Sequence, residues 1–148
     1  MMRALAFMMS LAMTGAAFAQ GAPSAKVVEY GIVKSVDGKF VFDKKTKRIP
    51  LRRDLRFGFC AEIVGLGADG KHTLAEVVRH PVLVQPNGVE TNGWNVPRMV
   101  TVENGVARWC ASHRFEHDWE LVPGKWRFVV GDGERDLVIQ EFDAVRGK

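Results

Sequence analysis

Apolar and polar residues alternate with a period of two along most of the chain after residue 27. Val28, Tyr30 and Ile32 share one face of a predicted strand, and the longest such series extends from Leu55 to Ile63. Turn residues separate these short runs, and Asn104-Gly105 gives the strongest hairpin signal. No long helical periodicity follows residue 19. The pattern predicts an all-β fold, an antiparallel sandwich or barrel.

The stretch 80–95 departs from this alternation. Its sequence, HPVLVQPNGVETNGWN, contains two prolines and two glycines, which interrupt strands more often than they extend them. We therefore expect a long, partly extended connection here rather than two strands. Trp94, placed among turn residues, could anchor a partner or cap the end of the fold.

Of all the segments of the sequence, 118–128 (DWELVPGKWRF) indicates a particular fold most specifically. Pro123 fixes φ, Gly124 can adopt a positive φ, and Trp126 supplies an aromatic ring near the start of the next strand. The run resembles the corner that leads into the sixth strand of many immunoglobulin-like sandwiches. Because tryptophan replaces the usual tyrosine, we expect an indole N–H to be the hydrogen-bond donor at this corner.

Together with Phe57-Gly58-Phe59, His80-Pro81 and Asp118-Trp119, this corner makes the chain resemble a bacterial family of exported immunoglobulin-like domains of unknown function. The resemblance extends over residues 28–145. It implies a single immunoglobulin-like antiparallel β-sandwich of about seven or eight strands. It brings no catalytic residues.

The first nineteen residues have a different character. Arg3 precedes an apolar run over residues 4–19, which closes on Ala17-Phe18-Ala19, the small-x-small pattern that a signal peptidase cuts. The run is shorter than the roughly 20 residues of a membrane-spanning helix. We predict a cleaved signal peptide at 1–19, a flexible leader at 20–25 and one domain at 26–148. The mature chain is then periplasmic or secreted, without a transmembrane segment.

The two cysteines, Cys60 and Cys110, suit a disulfide, since an exported chain meets an oxidising compartment. Cys60 is out of phase with Phe59, and Cys110 is out of phase with Trp109, so both sulfurs face away from an aromatic core. Counted as in an immunoglobulin domain, the two cysteines fall on neighbouring strands of one sheet. We predict a cross-strand bridge on an outer face; two free thiols are the alternative.

Six cations fall within residues 44–53, against a mild formal net charge of +4 for the whole chain: Lys44, Lys45, Lys47, Arg48, Arg52 and Arg53. Such a run indicates an anionic partner, either an envelope protein or an anionic surface. The alternative is a solvated loop or an edge strand whose lysines discourage pairing. No aromatics interleave with the cations, so we expect no nucleic-acid partner.

The segment 113–117 spells H-x-x-E-H, the pattern of one class of metallopeptidases. That chemistry needs a helix, whereas this segment follows a predicted strand and precedes a Pro-Gly corner. A looser hypothesis is that His113, Glu116 and His117 bind Zn²⁺ or Cu²⁺; the alternative is a solvated polar turn. No catalytic constellation is evident, and no cofactor is expected. The sequence thus favours an exported, non-enzymatic binding or structural module of the cell envelope, with a metal-binding protein as the alternative.

Overall fold

The computed structural model describes residues 21–147, so the predicted signal peptide lies outside the described residues. Nine strands and one 3₁₀ helix follow one another: β1 (Ser24–Val36), β2 (Lys39–Lys44), β3 (Arg48–Pro50), β4 (Arg56–Val64), β5 (Gly70–Val84), β6 (Glu90–Glu103), β7 (Val106–Arg114), the 3₁₀ helix (Asp118–Glu120), β8 (Gly124–Gly131) and β9 (Asp136–Val145). Over this part of the chain no helix has the length and apolar character needed to cross a membrane.

The strands form one curled sheet in the order β2-β1-β4-β7-β6-β5-β8-β9-β3. All neighbours are antiparallel except β3 and β9, which are parallel from Arg48↔Asp143 to Pro50↔Val145. β6 pairs with β7 only beside the Asn104-Gly105 turn and then follows β5, so the sheet folds into two facing layers. The predicted all-β, immunoglobulin-like sandwich is confirmed. Residues 21–147 form nine strands, against the prediction of about seven or eight, and the sheet is mixed.

Large aromatic side chains from both layers meet in the core. Phe57 of β4 lies edge-on to Phe142 of β9, with ring centroids 5.2 Å apart, and Phe59 meets Phe128 of β8 at 5.7 Å. All four are fully or almost fully buried. Along β7 and β8 the alternation of apolar residues is the alternation between core and surface, whereas residues 57–61 of β4 are all buried. Burial of these rings is the main force that holds the layers together.

Residues 80–95 correct the sequence-based expectation of a long connection. β5 continues to Val84 and β6 begins at Glu90, which leaves only a short turn between two paired strands. The register shifts between Arg79 and Leu83, so Pro81 occupies an irregularity where the ladder does not need its missing N–H. At the other end, β1 begins at Ser24, so the last two residues of the expected leader belong to a strand.

The cysteines form the predicted bridge. Cys60 of β4 lies directly opposite Cys110 of β7, with the two Cα atoms 4.1 Å apart, and the two sulfurs are bonded. Trp109 and Phe59, one residue away on each strand, point into the core. The disulfide consequently lies on the outer face of one layer and joins two neighbouring strands.

Candidate binding surface

The basic run predicted from the sequence is divided by the fold. Lys45 and Lys47 lie over the ring of Tyr30, with each Nζ between 5.3 and 5.5 Å from its centroid. Arg52 and Arg53 lie in the connection between β3 and β4 and line a groove. Lys44 ends β2 and Arg48 begins β3, and both are exposed. The six cations thus flank one edge of the domain without forming a single patch.

The groove has a volume of about 590 Å³, and five cations line it: Lys34, Arg52, Arg53, Arg56 and Arg114. We call it the arginine groove. Two carboxylates, from Asp43 and Asp54, oppose these five charges. Lys34, Arg56 and Arg114 come from β1, β4 and β7 and do not belong to the run in the sequence. Arg56 of β4 lies directly opposite Arg114 of the neighbouring strand β7. Only the strand register reveals that these two residues are close.

Most of these cations have a polar or aromatic contact. Lys34 pairs with Asp43 at 2.7 Å, Arg114 with Asp54 at 3.0 Å, and Arg53 with Asp118 at 3.2 Å. The Arg56 guanidinium donates to Ser112 Oγ at 2.9 Å and lies 4.6 Å from the centroid of the Phe40 ring. These pairs are exposed, and each contributes little to stability. The arginine groove therefore keeps a net positive charge that solvent-borne anions can reach.

Charge is also distributed unevenly along the chain. Residues 34–56 contain nine Lys and Arg but only three Asp, a net of +6, whereas the whole chain carries +4. The remaining residues therefore carry a net of −2. A positive field concentrated on one edge attracts and orients an anionic partner toward that edge.

A second groove adjoins the first. It has a volume of about 610 Å³, and β1, β2, β4 and β7 line it mostly with apolar side chains, with Cys60 and Cys110 among them. We call it the disulfide groove. A pair between Arg108 and Glu29, 2.7 Å apart, flanks it. Val33 and Phe40 line both grooves, so the exposed ring of Phe40 lies between a basic and an apolar surface.

His113 faces a different set of residues, the histidine–tryptophan cluster of His80, Trp94, His113 and Trp126. Trp126 is sandwiched between two imidazoles: its ring stacks on His80 at 4.6 Å and on His113 at 4.5 Å. Trp94 packs against all three rings at 5.9–6.2 Å. Of the two roles considered for Trp94, capping the sandwich is the one that its half-buried position supports.

The proposed metal ligands His113, Glu116 and His117 are not brought together. His113 Nε2 lies 3.0 Å from Glu120 Oε1, whereas His117 stacks on Trp119 at the surface, 5.1 Å between centroids. In the described ranges no group of three or more His, Cys, Asp or Glu side chains could hold a metal ion. The physical reason is that β7 ends at Arg114, so a spacing of four residues does not place the two histidines on one helical face.

Glu120 is buried, yet its carboxylate is fully used. Oε1 is within hydrogen-bond distance of His113 Nε2, and Oε2 accepts the backbone N–H groups of Glu116 and His117, both at 2.7 Å. The carboxylate thereby caps the 3₁₀ helix and fixes the His113 ring at the end of the sandwich. This arrangement gives Glu120 and His113 a structural role.

The corner before β8 has the predicted backbone conformation, but a different interaction stabilises it. Gly124 adopts φ 146°, and a Cβ at this position would lie 2.5 Å from Cγ of Pro81, so both conformation and space favour glycine. The expectation that the indole N–H donates a hydrogen bond is wrong: Trp126 Nε1 is buried and has no hydrogen-bond partner within the part of the chain described. Stacked rings, not a hydrogen bond, close this corner.

Stability should fall in acid because of His113. Burial lowers the pKa of His113 below its ordinary value of 6.5, against the opposing effect of the Glu120 carboxylate, and His80 lowers it further. The unfolded chain then binds a proton that the folded state resists, so the free energy of unfolding decreases as the pH falls below 6.5. One such proton contributes a slope of at most about 1.4 kcal/mol per pH unit.

Urea unfolding between pH 5 and pH 8 measures this slope. His113→Gln, which keeps a side-chain donor for Glu120 but does not titrate, should flatten the curve. His72→Gln is the matched control, because His72 lies outside the cluster and its Nε2 is 2.7 Å from the Ala68 carbonyl oxygen. An equal flattening in both variants would contradict the assignment to His113.

Two curled, facing layers of mostly antiparallel strands around an aromatic core form an immunoglobulin-like β-sandwich. Residues 22–144 match the family described as a domain of unknown function (DUF3859), and the chain belongs to this family. Its fold is similar to that of an immunoglobulin-like protein from Pseudomonas aeruginosa, with a TM-score of 0.68 and 24% identity over 86% of this chain and 99% of that one. The resemblance inferred from the sequence is confirmed.

Other similarities are weaker. A β-glucosidase from Kluyveromyces marxianus matches with a TM-score of 0.45 and 11% identity over 84% of this chain and 14% of that one. An alkylpurine DNA glycosylase from Pseudomonas fluorescens, bound to DNA, matches with the same score and identity over 84% and 31%. No match was found among the curated proteins. The fold and family fit a structural or binding module.

Proposed function

We propose that this chain is an exported, non-enzymatic binding module of the cell envelope whose arginine groove binds an anionic group of its partner. One observation carries the proposal: five cations from four separate segments of the chain converge on one groove, against two carboxylates in its lining and a third, Asp118, that pairs with Arg53. Guanidinium groups are suited to this role, since each presents a planar fork of donors that matches a carboxylate or phosphate.

Two features support export. The sequence over residues 1–19 has the pattern of a signal peptide, and the Cys60–Cys110 bridge is of a kind that persists in oxidising compartments such as the bacterial periplasm. A non-enzymatic role is supported by the cluster at His113, where Glu120 and the imidazole engage each other. The polar atoms of Glu120 and His113 therefore stabilise the fold. The cations of the arginine groove lie on the surface.

The binding proposal predicts a salt-dependent interaction with poly-L-glutamate and with phosphatidylglycerol vesicles. Each cation near an anionic surface contributes about 1 kcal/mol, so Arg52→Glu with Arg53→Glu should weaken binding at least about tenfold. Lys26→Glu with Lys71→Glu is the control with the same change in charge; Lys26 lies opposite Glu62 in the strand register, far along the sheet from Arg56. Titration at low and at physiological salt measures both effects.

The protein for this titration should be expressed as the full chain and recovered from the periplasm. A periplasmic protein that begins at Gln20 supports export, and a cytoplasmic protein that retains residues 1–19 contradicts it. If neither anionic probe binds at low salt, the binding proposal fails. If the control variant weakens binding as much as the groove variant, attraction is diffuse and the arginine groove is not the site.

A further inference from the structure

The edge strand β2 lies beside the arginine groove. β1 pairs with one side of β2, and among residues 21–147 no strand pairs with its other side. An edge of this kind presents a row of backbone N–H and C=O groups that can pair with an additional strand. The opposite edge of the sheet, β3, is only three residues long. β2 is therefore the longer template for an added strand.

β2 is not blunted in the way that edge strands usually are. Its pairing with β1 is regular over four successive positions, from Val33↔Phe42 to Val36↔Lys39, and the irregularity lies beyond them. Its centre reads Phe40-Val41-Phe42, and the Phe40 side chain is 63% exposed. Lysines occupy only the two ends, Lys39 and Lys44. A regular, apolar edge with cationic ends suits a partner strand better than it suits solvent.

We propose that β2 is the docking edge for an extended acidic segment of a partner protein, which pairs with it as an added strand. The proposal rests on the proposed function, because it names the kind of partner that the same positive edge would bind. The positive charge around β2 indicates which kind of partner would occupy this edge. The segment 34–56 carries a net charge of +6, and a second copy of the chain would bring two such segments together. The single acid of β2, Asp43, is already paired with Lys34.

The pattern of the added strand follows from the pleat. Phe40 and Phe42 lie opposite Ser35 and Val33, so both phenylalanines occupy the face of the sheet that bears the disulfide groove. Alternate residues of the added strand would pack beside these two rings, which favours apolar side chains there. The other residues of the added strand would lie opposite Lys39, Val41 and Lys44, and acidic side chains at the two ends would face the two lysines. The partner segment is therefore expected to alternate acidic and β-branched residues.

A peptide of alternating Glu and Val, eight residues long with blocked termini, is the probe. Titrated into the isotope-labelled protein, it should slow amide hydrogen exchange in β2 at least about tenfold, since paired strand amides are protected from solvent. Its affinity should also fall with salt. One analogue is N-methylated at every Glu residue and the other at every Val residue. Both keep the charge of the parent peptide, but each loses the backbone N–H donors along one edge of the strand. Binding by both analogues as tight as that of the parent would overturn strand pairing.

Phe40→Ser provides the test on the protein side, and Met99→Ser is its matched control. The two side chains are equally exposed, 63% and 64%, but Met99 lies on β6. Phe40→Ser should weaken binding of the alternating peptide at least about tenfold, because it removes the exposed ring beside which the added strand packs. Met99→Ser should leave binding of the peptide unchanged.

The outcomes separate this inference from the proposed function. Failure of poly-L-glutamate and of the peptide to bind at low salt removes both proposals. Binding of poly-L-glutamate without protection of β2 by the peptide leaves the arginine groove in place and overturns only the strand pairing. Protection of β2 that rises with protein concentration, in the absence of peptide, identifies a second copy as the occupant and overturns the acidic segment.

Discussion

Replacement of both Cys60 and Cys110 by alanine is expected to lower the free energy of unfolding by about 4 kcal/mol. The bridge joins residues separated by 50 positions, so its loss restores considerable conformational freedom to the unfolded chain. The folded state should change little. Cys60 is buried, but the bridge lies on the face of β4 and β7 opposite that of Phe59 and Trp109, so alanine there opens no cavity among the core aromatics. Urea unfolding followed by tryptophan fluorescence measures the difference.

Reduction of the parent protein supplies the control. Dithiothreitol should lower the stability of the parent toward that of the double variant and leave the double variant unchanged. A single variant, Cys60→Ala, should resemble the double variant, because the remaining thiol has no partner. Equal stability of the parent and the double variant under oxidising conditions would contradict a bridge that restrains the unfolded chain.

The bridge could be predicted from the sequence because it depends on strand parity. Phe59 and Trp109 mark the core face of their strands, and the neighbouring cysteines must then share the opposite face. Parity is a local property that any alternating strand displays. The extension of β5 past Pro81 was not predictable in this way, since a proline normally ends a strand and only pairing with β6 shows that an irregularity accommodates it.

The arginine groove shows a second limit of the sequence. Arg52 and Arg53 are visible as part of a charged run, but Arg114 lies more than fifty residues away and joins them only because β7 pairs with β4. Long-range pairing of this kind leaves no local pattern. A run of cations therefore indicated that this part of the surface is positive, and the topology determined which cations line the groove.

The structure departs from the metal-site hypothesis for residues 113–117 for a related reason. His113 and His117 are close in sequence, and that proximity suggested a shared metal. His113 belongs to a strand whose alternate residues enter the core, so its ring packs against Trp94 and Trp126 from two other strands. Strand parity could have indicated the inward direction of His113, since Trp109 and His113 are an even number of residues apart.

Trp126→Ala is expected to destabilise the protein by about 3–5 kcal/mol, the range for large aromatic side chains removed from a core. The side chain is fully buried and contacts rings from both layers, with Phe57 at 5.5 Å and the two stacked imidazoles closer still. Trp126→Phe should cost well under half as much. It keeps a ring between His80 and His113 and removes an indole N–H that has no partner among residues 21–147. Urea unfolding at pH 8 measures both variants.

The pH dependence of the same variants tests whether Trp126 provides the burial that lowers the pKa of His113. Removal of the indole admits water to the imidazole, and the pKa of His113 should return toward 6.5. Trp126→Ala should therefore lose less stability between pH 8 and pH 5 than the parent loses, although it is the less stable protein at pH 8. Trp126→Phe should keep most of the parent's acid sensitivity. A Trp126→Ala variant as acid-sensitive as the parent would show that other groups cause the effect, and a Trp126→Phe variant as unstable as Trp126→Ala would show that the indole N–H has a partner.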